Sequence, residues 1–119
     1  MRQISIKRRS NRVLYNVTLS VNALKYAEWL RFMQENHIPK IFSTECFDAY
    51  KICRIIDENK EDWTIAVQYI CPSRGHFEKY QREFAAQLQQ EHIAQFGDSA
   101  AAFRTLLQIE EEGGFDPEP

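Results

Sequence analysis

From Val13 to Ser20 the chain alternates, with Val13, Tyr15, Val17 and Leu19 on one side and Asn16, Thr18 and Ser20 on the other. A period of two marks a half-buried strand, predicted over 13–21. The period then changes. Asn22 offers a capping oxygen, and Ala23, Tyr26, Ala27, Leu30 and Met33 recur at helical spacing, so a helix is predicted over 23–36. Pro39 disfavours helix at the residue ahead of it and sets the expected stop. Residues 47–56 are rich in aromatic and branched side chains and read as a second strand, and 63–71 read as a third. The charged turn Asp57 to Asp62 between them is short, which makes the pair an antiparallel hairpin. Pro72 and Ser73 open a second helix over 74–93, with Phe77, Tyr80, Phe84, Leu88 and His92 as its apolar stripe. Gly97 ends that segment, and 101–109 form a fourth strand. The order is βαββαβ, which predicts an α+β fold of the ferredoxin-like kind with a four-stranded antiparallel sheet.

An internal echo supports two βαβ halves. Gln34-Glu35-Asn36-His37-Ile38 closes the first helix and Gln90-Glu91-His92-Ile93 closes the second. The two histidines lie 55 positions apart, the same offset that carries Phe47 to Ala102 in the first residues of the second and fourth strands.

Charge is more informative by segment than in sum. The 119-residue chain carries 15 Lys+Arg and 17 Asp+Glu, for a net charge of -2. Residues 1–12 hold five bases (Arg2, Lys7, Arg8, Arg9 and Arg12) and no acid. The remaining 10 bases against 17 acids give the body a charge of -7. An acidic body argues against a nucleic-acid partner, which requires a basic face. No apolar run approaches the ~18 residues of a membrane span, and the basic leader is not followed by the apolar core of a secretory signal. Cys46, Cys53 and Cys71 are odd in number and lack Cys-x-x-Cys spacing, as expected of reduced thiols in a cytoplasmic protein. Residues 1–12 are expected to be a flexible basic arm and 110–119 a disordered acidic tail, neither needed for folding.

Several segments together are similar to a bacterial family catalogued as a domain of unknown function (DUF 4286). They are Tyr15-Asn16-Val17-Thr18, Glu28-Trp29-Leu30 with Met33, His37-Ile38-Pro39, Ala66-Val67-Gln68-Tyr69, Glu91-His92 with Phe96-Gly97, and Ala102 to Leu107. They fall in order over residues 13–109. The resemblance implies a ferredoxin-like fold of the dimeric α+β barrel type, hence a homodimer. It implies no particular chemistry, and the basic residues 1–12 lie outside the pattern.

Three constellations are candidates for function. With strand order 4-1-3-2, Tyr15, Val17, Val67 and Tyr69 should receive the helices. The opposite face is then expected to carry a polar row, Arg104–Asn16–Gln68, among Leu14, Ala66, Ile70 and Leu106, with Tyr50, Ile52 and Arg54 from the second strand. A partner sheet covering that face would fix its register through the polar row, and Arg104 could instead anchor an anionic small-molecule ligand. His37 and His92, at the ends of helical stripes, are the candidate catalytic residues, with pKa values expected to rise if solvent reaches them. A metal role is disfavoured because no Asp, Glu or Cys accompanies them at ligand spacing. Trp29, Phe32 and Met33 could line a pocket between the first helix and the sheet. No cofactor is implied, since no glycine-rich phosphate loop, Ser/His/Asp order or paired carboxylate stands out. The leading expectation is a small-ligand-binding or assembly module. The competing one is a cofactor-independent oxygenase or isomerase with His37 or His92 as base and Arg104 or Asn16 binding an oxyanion. A catalyst would need a water-excluded cavity beside His37 or His92.

Overall fold

A computed structural model of the chain describes residues 2–7, 10–56, 61–97 and 102–116. Four strands form the main antiparallel sheet: β2 (Val13–Asn22), β3 (Ala49–Arg54), β4 (Asp62–Cys71) and β5 (Phe103–Gln108). Their order is β3-β4-β2-β5, the ferredoxin-like arrangement that the alternating pattern predicts. The central pair, β2 and β4, registers along all ten residues from Val13↔Cys71 to Asn22↔Asp62. Helical segments cover one face. They are α1 (Tyr26–Phe32), α2 (Ile38–Ser43), α3 (Arg74–Glu83) and α4 (Ala85–Phe96). The core lies between them and the sheet, where Tyr15, Leu19, Trp29, Ile65, Val67, Tyr69 and Tyr80 are buried.

The first helix does not stop before Pro39. After α1 the backbone takes a π-helical turn, Met33–His37, and continues into α2 with Pro39 in its first turn. The Ile38 N–H bonds the Met33 carbonyl, five residues back. The wide turn sits where a proline ring would strain an ordinary α-helical ladder, and Pro39 needs no donor at the start of the next segment. One extra residue also shifts the buried stripe, so Trp29, Met33, His37, Ile38 and Ile41 all face inward. The second helix keeps its expected stripe but breaks at Phe84, whose φ of -128° separates α3 from α4. Gly97, at φ 70°, closes α4 in a conformation that favours glycine.

The two chain ends, expected to be a flexible arm and a disordered tail, pair instead. β1 (Ile4–Lys7) and β6 (Glu112–Phe115) form an antiparallel ribbon in which Ile4 faces Phe115 and Lys7 registers with Glu112. Arg12 bonds Glu112 at 2.9 Å, and the Ile109 N–H bonds the Arg12 carbonyl at 3.1 Å. A ladder of backbone hydrogen bonds requires no alternation of side chains, so the hydrophobic pattern is silent on it. Antiparallel β2 and β5 bring the basic and acidic ends together.

Candidate functional site

Strand register decides which side chains reach the helix side. β2 presents Tyr15, Val17 and Leu19 there, and β4 presents Val67 and Tyr69 directly across. Along β5, Arg104 registers with Val17 and Leu106 with Tyr15. Arg104 and Leu106 therefore belong to the helix face, which corrects the expected polar row. Thr105 takes the place across from Asn16, so the open face carries the row Thr105–Asn16–Gln68–Lys51. The second strand is corrected in the same way. Tyr50, Ile52 and Arg54 register with Tyr69, Val67 and Ile65 and share the helix side, leaving Ala49, Lys51 and Cys53 on the other. In a strand a one-residue error of phase inverts every side chain.

Between helices and sheet lies a cavity of about 240 Å³. Its floor is Tyr15, Val17, Leu19, Val67 and Tyr69 from the sheet. Trp29, Met33, His37 and Ile41 wall it from the first helical run, and Tyr80, Gln89 and His92 from the second. Arg104 and Ala102 enter from the edge strand. Of the expected pocket residues, Trp29 and Met33 line the cavity. Phe32 does not; it packs behind, with its ring 5.9 Å from that of His37 and 6.1 Å from that of His92. The two histidines of the internal echo meet at 5.7 Å between ring centroids. Asn16, on the opposite face, is removed from this group.

Hydrogen bonding sets the states of these groups. The Trp29 Nε1–H donates to His92 Nε2 at 3.0 Å, which selects a neutral imidazole carrying its proton on Nδ1. His37 Nδ1 is sealed from solvent without a hydrogen-bond partner, so Nε2 is the ring nitrogen left for a ligand. Burial, then the nearby His92, pushes the His37 pKa down to about 4; Lys40 adds to this and Glu91 opposes it. The His92 pKa is also lowered, first by burial and then by the Arg104 charge. The expectation of raised histidine pKa values is thus reversed. His37 is buried and His92 half-buried within helical segments, where desolvation of the cation outweighs any helix-end field. Burial raises the Tyr15 pKa, and the neighbouring Arg104 and Gln89 side chains partly offset it. Burial likewise raises those of Tyr69 and Tyr80. At neutral pH the lining therefore holds neutral imidazoles, neutral phenols and one guanidinium cation. Among the described residues no group of three or more His, Cys, Asp or Glu side chains converges to hold a metal ion.

Tyr80 and Gln89 were missed as site residues. Gln89 stands four positions after buried Ala85 and three before His92 on one helical face, a spacing that marks it as inward-facing.

The open face is different. Leu14, Asn16, Thr18, Ala66, Gln68 and Ile70 are half-buried within the sheet, while Leu107 is 43% and Phe103 78% exposed. The Asn16 side-chain amide donates to the Thr18 hydroxyl at 2.9 Å.

Strand order, the helical layer on one face and the cavity between the layers together define a ferredoxin-like α+β domain with an aromatic pocket. The chain belongs to the family described as a domain of unknown function, DUF4286, whose sequence model matches residues 12–110. Among solved structures it is similar to a Bacillus cereus protein bearing the name of an antibiotic biosynthesis monooxygenase. Identity is 14% and the TM-score 0.49, over 92% of this chain and 97% of that one. No curated protein gives a significant match. Among the described residues no helix is long and apolar enough to cross a membrane.

Proposed function

We propose that this protein is a cytoplasmic, homodimeric small-molecule-binding domain whose ligand occupies the cavity between the helices and the sheet. The observation that carries the reading is the combination of a partly open aromatic cavity with several convergent polar groups: His37, His92, Tyr15, Gln89 and Arg104. Ligand sites are typically concave, mostly apolar and equipped with a few placed polar groups. The volume of about 240 Å³ suits a compact ligand, below the roughly 300–1,000 Å³ of drug-sized sites. The homodimer is supported by the open face, where Leu14, Ile70, Phe103 and Leu107 surround a polar row that a second sheet would cover. Three free cysteines, two of them buried, fit a reducing compartment.

The test is native mass spectrometry of freshly purified full-length protein, which reads subunit count and any retained small molecule together. A dimer carrying a mass beyond the polypeptide is the expected spectrum. A bare monomer at micromolar concentration overturns both halves of the reading.

One observation favours a second reading, a cofactor-independent oxygenase or isomerase: the cavity lies directly beside both histidines. An imidazole with a pKa near 4 is a weak base at neutral pH. Proton abstraction would therefore fall to His92, whose Nδ1 carries the proton while Trp29 holds Nε2. That arrangement gives His92 no free lone pair toward a substrate unless the Trp29 bond breaks, which is why binding is the leading function.

A further inference from the structure

We infer that the cavity selects an apolar monocarboxylate, with its head held by the Arg104 guanidinium and its tail buried toward Trp29, Met33 and Ile41. This rests on the ligand-binding reading above and adds the chemical class. Arg104 is the one cation among the described residues of the lining, and its charge acts on Tyr15, Tyr80 and His92, all of them cavity residues. It is therefore directed over the cavity and not away from it. Within the protein it acts on the Tyr15 hydroxyl, whose pKa it lowers together with Gln89. Among the described residues the ion pairs are made by other bases, and no carboxylate is paired with Arg104. A guanidinium has five donors in a planar fork, so most of its capacity remains for a planar two-oxygen acceptor.

The rest of the lining narrows the choice. His37 and His92 are neutral at pH 7, so the cavity offers a single positive charge. A phosphate monoester, near two negative charges, would be left half-compensated beside aromatic walls, whereas a carboxylate is matched one to one. Beyond the head, the wall is carried by Trp29, Met33, Ile41, Val17 and Leu19, which favours a hydrocarbon or aryl tail.

The test uses the full chain with two probes of nearly equal shape, octanoate and octanamide, titrated by calorimetry. Trp29 fluorescence, read in a Trp63→Phe background, reports occupancy independently. A charge-assisted hydrogen bond predicts octanoate binding roughly 10- to 100-fold tighter than octanamide. Arg104→Gln should abolish that preference by weakening octanoate at least tenfold more than octanamide. Arg104→Lys, which keeps the charge and loses the fork, should retain part of it. Arg104 is solvent-exposed on an edge strand, so both variants should melt close to wild type. If wild type binds both probes equally, the carboxylate assignment fails while the cavity reading survives. If neither probe binds and no small molecule co-purifies, the cavity reading fails and this inference falls with it.

Discussion

On the helix side of β2, Tyr15 and Leu19 are each 4% exposed, sealed under Trp29, Met33 and Tyr80. One residue away on the same strand, Leu14, Asn16 and Thr18 are half-buried by sheet neighbours alone. Both faces mix apolar and polar groups, yet their polar groups are used differently. On the helix side they converge on a partly open cavity, where Tyr15, Gln89 and Arg104 come together and Trp29 is bonded to His92. On the open side they run in a line across four strands, Thr105–Asn16–Gln68–Lys51. Convergence around a void is what a small ligand needs; a flat row among apolar side chains is what a partner sheet needs. On the proposed reading, the helix side holds a small ligand and the open side a second copy of the chain.

The largest test of that contrast is Trp29→Ala. The side chain is 1% exposed, walls the cavity and orients His92. Truncation should lower unfolding free energy by about 3–5 kcal/mol in urea titration. Trp29→Phe keeps most of the bulk and loses the indole donor, so it should cost about 1–2 kcal/mol. A similar cost for both variants would mean that the hydrogen bond, and not the volume, dominates.

Next in size is the acid limb of stability. His37 is neutral in the folded protein down to a pKa of about 4, whereas its ordinary unfolded value is about 6.5. Above pH ~6.5 neither state holds the proton and the burial is fully tolerated. As pH falls toward 4 the unfolded chain takes up a proton that the folded chain refuses, so stability declines by roughly 3 kcal/mol across that window. The groups acting on His37 are His92, Lys40 and Glu91, and His92 contributes in the same direction. Denaturant midpoints measured from pH 7 to 4 should drop steeply for wild type and distinctly less for His37→Gln. Parallel profiles would show that the ring is not desolvated.

The open face is tested by Leu14→Lys, since Leu14 registers between Ile70 and Leu107. A charge buried in an apolar contact is costly. Sedimentation velocity should show at least a tenfold weaker dimer, equivalent to about 1.4 kcal/mol, with the thermal midpoint of the isolated subunit nearly unchanged. An undisturbed dimer would move the interface elsewhere.

The smallest effect is expected at the ribbon. Arg12 and Glu112 keep 39% and 30% of their side-chain surface in solvent, so Glu112→Ala should cost less than about 1 kcal/mol and less still at high salt. A larger loss would make the ribbon an integral part of the fold.

Much of this architecture was legible from periodicity. The switch from period two at Val13–Leu19 to helical spacing after Asn22, and the charged turn before Trp63, gave the right element order and the right strand order. The echo of His37 and His92 anticipated two residues that do meet. Arg104 was legible as an important residue but not as to side. β5 is short and lacks clear alternation, Phe103-Arg104-Thr105-Leu106-Leu107, so nothing in it marks which residues face inward. The same ambiguity misplaced Tyr50, Ile52 and Arg54 on the edge strand β3.

By itself, then, the amino-acid sequence determined the class of fold, the central strands and the helical stripe from Phe77 to His92, because burial of a periodic apolar face is a local signal repeated many times. Only the tertiary structure decided the register of the edge strands, the passage of a helix through Pro39 and the pairing of the two chain ends. Those depend on backbone hydrogen bonds made between distant segments, which leave no periodic trace in either segment alone. It also decided the chemistry of His37: an imidazole's pKa is set by what surrounds it in space, and its surroundings come from Phe32, His92 and the sheet rather than from its neighbours along the chain.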